Sequence, residues 1–255
     1  MIVISNLKKS FGTKAVLTGV NLTIPTGDTM VIIGASGCGK SVLLKHIVGL
    51  LEGDEGKVEI DGLNVAMLKE KELFTLRRKF GFLFQGAALF DSMTVLENVA
   101  LGLVENGMTD QKKIERIVES KLEMVGLPGI GHLKPAELSG GMKKRVGLAR
   151  ALSQDPEYIF YDEPTTGLDP IMADQIDDLI ASITRQINVT SVVVTHDMFS
   201  VERVAKSVVM MHQGVIYFNG TPQELQHSAD PIVRAFVERY QPEHNKRMHP
   251  EASAK

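Results

Sequence analysis

The sequence predicts an α/β protein with a mostly parallel core sheet, an antiparallel β subdomain and an inserted helical subdomain. Three observations carry that expectation. Residues 29–33 (TMVII) are a short run of β-branched and apolar side chains of the kind that builds a buried parallel strand. The run passes directly into Gly34-Ala35-Ser36-Gly37-Cys38-Gly39-Lys40-Ser41, the pattern G-x-x-x-x-G-K-[ST], and a helical pattern follows over 41–48. From Gly86 to about Gln154 strand signals fade and helical ones replace them, before apolar strands return at 158–161 and 191–195.

In chain order, residues 2–6 and 20–24 read as two strands flanking a turn that holds Lys9-Ser10-Phe11-Gly12. Pro25 and Gly27-Asp28 then turn the chain into the strand at 29–33. A further strand covers 57–61, with Asp61-Gly62 as a hairpin signal. Residues 69–78 are helical in pattern, and 80–84 make a short apolar strand that runs into Gln85. Helices are expected at 94–103, 110–125 and 141–152, and another near 171–187. Residues 208–212 and 215–219 close a hairpin around Gln213-Gly214, and two short helices follow. The expected division is a core of 1–85 and 155–240, a helical insertion at 86–154, and a polar, disordered tail at 241–255.

A chain of 255 residues can bury a full α/β core. Its net charge of −3 provides no basic field, so no nucleic-acid partner is expected. Cys38 is the single cysteine, which rules out an internal disulfide and fits a reducing compartment. The N-terminus lacks the apolar stretch of a signal peptide, and no window approaches the roughly 18 apolar residues of a membrane span. A cytosolic chain is expected, with any membrane role needing another chain.

Glycines at 34, 37 and 39 let the backbone curl so that successive N–H groups face an anion, and the following helix adds about half a positive charge. Lys40 is placed to reach β- and γ-phosphates, and the Ser41 hydroxyl to bind Mg²⁺. Residues 158–163 (YIFYDE) are an apolar strand ending in two carboxylates. Asp162 suits the Mg²⁺ shell, and Glu163 suits a general base that polarises water. In Leu138-Ser139-Gly140-Gly141-Met142, Ser139 can cap the next helix while the glycines expose N–H groups, a second anion-binding helix start. Two such sites in one chain imply that two copies pair head to tail, each capping the other's nucleotide. Lys143-Lys144-Arg145 reads as a solvated helix face, Met210-Met211 as core, and Cys38 as chemically inert. His244 and His249 lack paired ligands for a metal.

Taken together, these motifs resemble an ATP-binding-cassette (ABC) ATPase subunit over about residues 1–240, which implies a P-loop NTPase fold of the ABC type. Residues 34–41 match the Walker A motif, 158–162 the Walker B motif with Glu163 as its glutamate, and 138–142 the family signature. Gln85 matches the Q-loop glutamine, His196 the switch histidine, and Thr166-Gly167-Leu168-Asp169 the D-loop. Phe11 falls where the family places an aromatic on adenine. By that resemblance the cofactors are ATP and Mg²⁺. Phe11, Gly34, Ala35, Ser36, Gly37, Cys38, Gly39, Lys40, Ser41, Ser139, Gly140, Gly141 and Asp169 would hold the nucleotide. Ser41, Gln85 and Asp162 would hold the metal, and Glu163, His196, Gln85 and Lys40 would act in catalysis.

Residues 84–95 lie where cassettes grip their permease, and their FQGAALFDS form resembles the Mla/Mce-type lipid-transport ATPases. PTTGLDP at 164–170 and GGMKKRVGLARAL at 140–152 share that resemblance. It implies a second copy of the chain, a separate Mla-type permease, a periplasmic Mce-domain lipid-binding protein and a STAS-domain regulator. The cargo would be phospholipid moved between the membranes of a Gram-negative bacterium, with the ATPase on the cytoplasmic face of the inner membrane. The alternative is the ATPase of an importer for amino acids, ions or other small solutes, which shares the catalytic motifs. A DNA-repair or chromosome-organising ATPase is disfavoured, because neither sustained heptads nor paired cysteines separate Ser41 from Ser139.

Overall fold

Two antiparallel strands open the chain, β1 (Ile2–Phe11) and β2 (Lys14–Ile24). Both are longer than their residue pattern suggests, and the turn is only Gly12-Thr13, so Lys9, Ser10 and Phe11 belong to β1. Register shifts between Ile4 and Leu7, and again between Lys9 and Ser10, break the period-two alternation that would have marked the full strands. The computed structural model describes residues 1–248, with side chains through Tyr240. The chain divides into two units, Met1–Arg77 with the chain from Thr190 onward, and Arg78–Val189.

In the first unit, β3 (Thr29–Ile33) leads through a glycine-rich loop into α1 (Lys40–Ile47). β4 (Glu55–Ile60) returns antiparallel onto β1, and Asp61-Gly62 turns the chain into β5 (Leu63–Asn64). Both turn residues have positive φ, 51° and 82°, as a tight two-residue hairpin requires. A single 3₁₀ turn (Val65–Met67) and α2 (Glu70–Arg77) complete this stretch. After the second unit the chain resumes with β8 (Thr190–Val194), α7 (Met198–Val204), β9 (Ser207–His212), β10 (Val215–Gly220), α8 (Pro222–Gln226) and α9 (Pro231–Met248). α7 has no counterpart in the sequence expectation; Asp197 starts it by accepting from the Phe199 amide at 2.9 Å. α9 is one 18-residue helix where a short one is expected, and it continues into the segment read as a tail. Residues 249–255, His249 among them, and the side chain of His244 lie outside the described residues.

β3 runs parallel to both β8 and β9, and β10 folds back antiparallel on β9. All five β3 residues are buried, and full burial of Val31, Ile32 and Ile33 stabilises by about 1.5–3 kcal/mol for each side chain. Met210 and Met211 on β9 are core residues, as their context implies. The Thr18 amide donates to Gly214 O at 2.9 Å, fastening β2 to the β9–β10 turn.

The second unit carries β6 (Phe80–Leu83), α3 (Val95–Glu105), α4 (Gln111–Met124), α5 (Gly140–Leu152), β7 (Tyr158–Asp162) and α6 (Pro170–Ile187). β6 and β7 pair in parallel. α5 lies at the middle of this unit, packed against β6, α3, α4 and α6. The helix starts follow cap chemistry: Thr94 and Glu97 form a reciprocal capping box on α3, and Asp110 accepts from the Lys113 amide on α4.

The tightest approach of α5 to β6 is at Gly81, where a Cβ would lie 2.3 Å from Ala151 O. Gly81→Ala is expected to destabilise the protein by about 1–3 kcal/mol through overpacking. Gly131→Ala, whose Cβ would meet nothing closer than 3.5 Å, should keep the wild-type urea midpoint. An unshifted midpoint for Gly81→Ala would contradict this packing.

Candidate functional site

The glycine-rich loop is shaped by close backbone approach. Gly34 has φ +150°, and a Cβ there would lie 2.5 Å from Met211 O. Gly39 has φ +108°, and its Cβ would lie 2.9 Å from Leu17 Cδ2. Both positions therefore require glycine. Gly39 also stands at the N-cap of α1, so no side chain caps the first-turn amides, the arrangement that suits an anion. Ala35, Ser36, Gly37 and Ser41 are exposed, while Lys40 is buried. The Lys40 ammonium donates to Gly34 O at 2.7 Å and to Ala35 O at 3.2 Å, so the cation sits within the curl of its own loop. Burial pushes the Cys38 thiol up, against the pull of Lys40, which keeps it protonated.

Two further predicted residues lie in this unit. Phe11 is 47% exposed with Lys9 Nζ 5.8 Å from its ring centroid, so it is a surface ring rather than a core aromatic. His196 follows β8, where the Thr195 amide donates to Ile32 O of β3 at 3.2 Å. This places His196 just beyond the strand that runs alongside β3. Its ring centroid lies 5.7 Å from that of Tyr240 on α9.

In the second unit, Asp162 ends β7 and Glu163 follows with φ 51°, a left-handed conformation that breaks the strand's alternation. Thr166 Oγ1 donates to Glu163 Oε2 at 3.0 Å. Ser139 caps α5 by accepting from the Met142 amide at 3.2 Å, with Gly140 exposed and Gly141 packed under Met172. Asp169 caps α6 by accepting from the Met172 amide at 3.1 Å. Gln85 is exposed just beyond β6.

The Lys143-Lys144-Arg145 run is not a solvated face. Lys144 is 5% exposed, and its ammonium donates to Gln85 O and, at 3.2 Å, to Glu163 O. Burial pushes its pKa down, while Glu163 and then Asp162 push it up. Arg145 donates to Val125 O and to Gln175 Oε1, each at 3.1 Å. The reading fails because α5 has neighbours on all sides, so a polar run on it meets loop carbonyls instead of water. The small residues Gly147, Ala149 and Ala151 are the sequence signal of such a closely packed helix.

The loop after β6, read from the sequence as the permease grip, has a backbone that the sequence did not announce. Ala87 and Ala88 have φ of 59° and 49°, successive left-handed positions without glycine that cost about 1–3 kcal/mol each. Arg150 of α5 donates to both their carbonyls at 2.6 Å, and Asn98 of α3, fully buried, bonds the loop's far end.

The ABC transporter family model matches residues 17–166. The chain is 42% identical over 234 residues to the probable ribonucleotide transport ATP-binding protein mkl of Mycobacterium tuberculosis, covering 92% of this chain. It spans 65% of that relative's length. It is 38% identical over 227 residues to the intermembrane phospholipid transport system ATP-binding protein MlaF of Escherichia coli K12, covering 89% of this chain and 84% of MlaF. Among solved structures, the dimeric ATP-binding cassette MJ0796 in a post-hydrolysis state bound to ADP and Pi superposes with a TM-score of 0.79. That match has 33% identity and covers 87% of this chain and 99% of the cassette. The mixed parallel and antiparallel α/β architecture is thus the cassette fold, and with the family model spanning more than half of it, the chain belongs to the ABC transporter family.

Proposed function

We propose that the chain is the ATP-binding and ATP-hydrolysing subunit of a membrane ABC complex that moves phospholipid between the inner and outer membranes of a Gram-negative bacterium. The observation that carries the cargo is the 38% identity with MlaF over most of both chains. The FQGAALFDS loop at 84–92 supports the same type of permease. A second copy of the chain, an Mla-type permease, an Mce-domain lipid-binding protein and a STAS-domain protein complete the assembly. Among the described residues no helix is long and apolar enough to cross a membrane, so attachment to the cytoplasmic face runs through the permease.

In this function Lys40 exchanges the carbonyls of Gly34 and Ala35 for phosphate oxygens, and the first-turn amides of α1 take the rest of the charge. Ser41, Gln85 and Asp162 offer hydroxyl, amide and carboxylate oxygens, the hard donors that Mg²⁺ takes. When bound, the ion neutralises charge on the phosphates. Glu163 receives the proton of the attacking water, and His196 serves the same phosphate end. Phe11 stacks on the adenine, and Ser139, Gly140, Gly141 and Asp169 serve the nucleotide held by the second copy. The core at 1–85 and 155–240 holds nucleotide, and the helical insertion at 86–154 meets the permease.

A small-solute importer is the second reading, favoured by the ribonucleotide transport named for the mycobacterial relative.

Lys40→Ala is expected to lose nucleotide binding together with hydrolysis. Glu163→Gln should bind ATP normally and lose hydrolysis by roughly 10²–10⁴-fold, the worth of a general base. Equal loss of binding in both, measured by ATP titration, would contradict the division of roles. Phe11→Ala should weaken ATP affinity by about tenfold or less, and Phe11→Tyr should be neutral, because stacking contributes about 0.5–1.5 kcal/mol. An unchanged affinity for the alanine variant would remove Phe11 from the site.

Cargo is tested in cells. Ala88 is exposed at φ 49°, a conformation that aspartate tolerates better than alanine, so Ala88→Asp should act through docking rather than through the backbone. A charge buried there against the permease without a partner costs several kcal/mol. The expected result equals deletion of the ATPase: a leaky outer membrane with misplaced phospholipid. Growth failure cured by one nutrient, with an intact outer-membrane barrier, would replace lipid by a small solute.

A further inference from the structure

We propose that Lys144 and Arg150 of α5 are positioning residues that hold the loop after β6 and tie it to Glu163, so that one helix sets the placement of both Gln85 and Glu163. The inference rests on the roles given above to those two residues.

The loop is gripped along its inner side. The Arg150 guanidinium, half-buried and always charged, donates through Nη2 to Ala87 O and through Nη1 to Ala88 O, both at 2.6 Å. These are the two carbonyls of the successive left-handed residues, so the cation fastens the loop at its strained point. The Ala87 side chain is 1% exposed and packs on α5, where a Cβ on Gly147 would lie 3.2 Å from it. At the far end, Asn98 accepts from the Phe90 amide at 2.8 Å and donates to the carbonyls of Phe90, Met93 and Thr94. The outer side differs. Phe90 is 51% exposed, and a Cβ added at Gly86 would meet nothing within 4 Å.

Lys144 makes the link to chemistry. Its ammonium bonds the backbone of Gln85 and the backbone of Glu163 at once, from a site that water scarcely reaches. A compact three-donor cation suits two convergent carbonyls better than a planar fork. Displacing the loop from its outer side therefore pulls on the same ammonium that holds Glu163 in its left-handed turn.

The test uses the full chain. Lys144→Met keeps length and apolar stem but removes the donors. It should raise amide exchange across residues 85–91 and lower kcat by about ten- to hundredfold, the range for losing charge-assisted hydrogen bonds, with the KM for ATP within about twofold. Lys144→Arg, which retains a cationic donor, should recover most of the kcat. Glu163→Gln should lose hydrolysis by the roughly 10²–10⁴-fold of a general base with exchange across 85–91 unchanged. An active Glu163→Gln variant would refute the base assignment while the Lys144→Met exchange still reports on the clamp. Unchanged exchange in Lys144→Met, or a loss confined to KM, would overturn the proposal. Should Lys144→Met fail to fold, Arg150→Met decides by the same two measurements: faster exchange over 85–91 with lowered kcat supports the clamp, and wild-type values overturn it.

Discussion

The first unit depends on how closely the backbone passes itself at Gly34. β3 leaves the sheet directly against the end of β9, with the Met211 carbonyl where a side chain on residue 34 would begin. That contact fixes the exit direction of the chain. From this exit the loop can curl back on Lys40 and deliver α1 with its first-turn amides facing the curl. Any side chain at 34 would move the start of α1, and with it the ammonium. The burial of all five β3 residues supplies the rigidity that makes such close tolerance possible.

The second unit is organised by a different constraint, a helix with little access to water. α5 carries the Ser139 cap at its start, Lys144 near its middle and Arg150 near its end; both cations hold the loop after β6, and Lys144 also reaches Glu163. Buried cations are costly unless their donors are met. Here they are met by peptide carbonyls rather than by carboxylates, which specifies backbone shape. Three of the unit's left-handed residues, Ala87, Ala88 and Glu163, have carbonyls that these cations hold.

Much of this was legible in the residues because it is local. The strand at 29–33, the loop after it, and the Ser139 cap are short patterns whose physics needs no distant partner. The full length of β1 and β2 was hidden by register shifts, and α7 by its seven-residue length. Lys144 was misread because charge in a sequence argues for water, whereas tertiary packing decides where the helix face points. Arg150 and Asn98 went unnoticed for a related reason: their partners are backbone atoms of residues far along the chain, and carbonyls leave no mark in sequence.

The aromatic pairing of Tyr240 with His196 changes what the C-terminal helix means for handling this protein. Phe236 lies 4.7 Å from Tyr240 between ring centroids and backs it against the histidine. A boundary drawn at residue 240, the domain end expected from the sequence, therefore cuts through the surroundings of His196. Truncations, fusions and affinity tags at this end are edits to the neighbourhood of the histidine, and kinetic comparisons between differently trimmed versions will mix that change with whatever else they set out to measure.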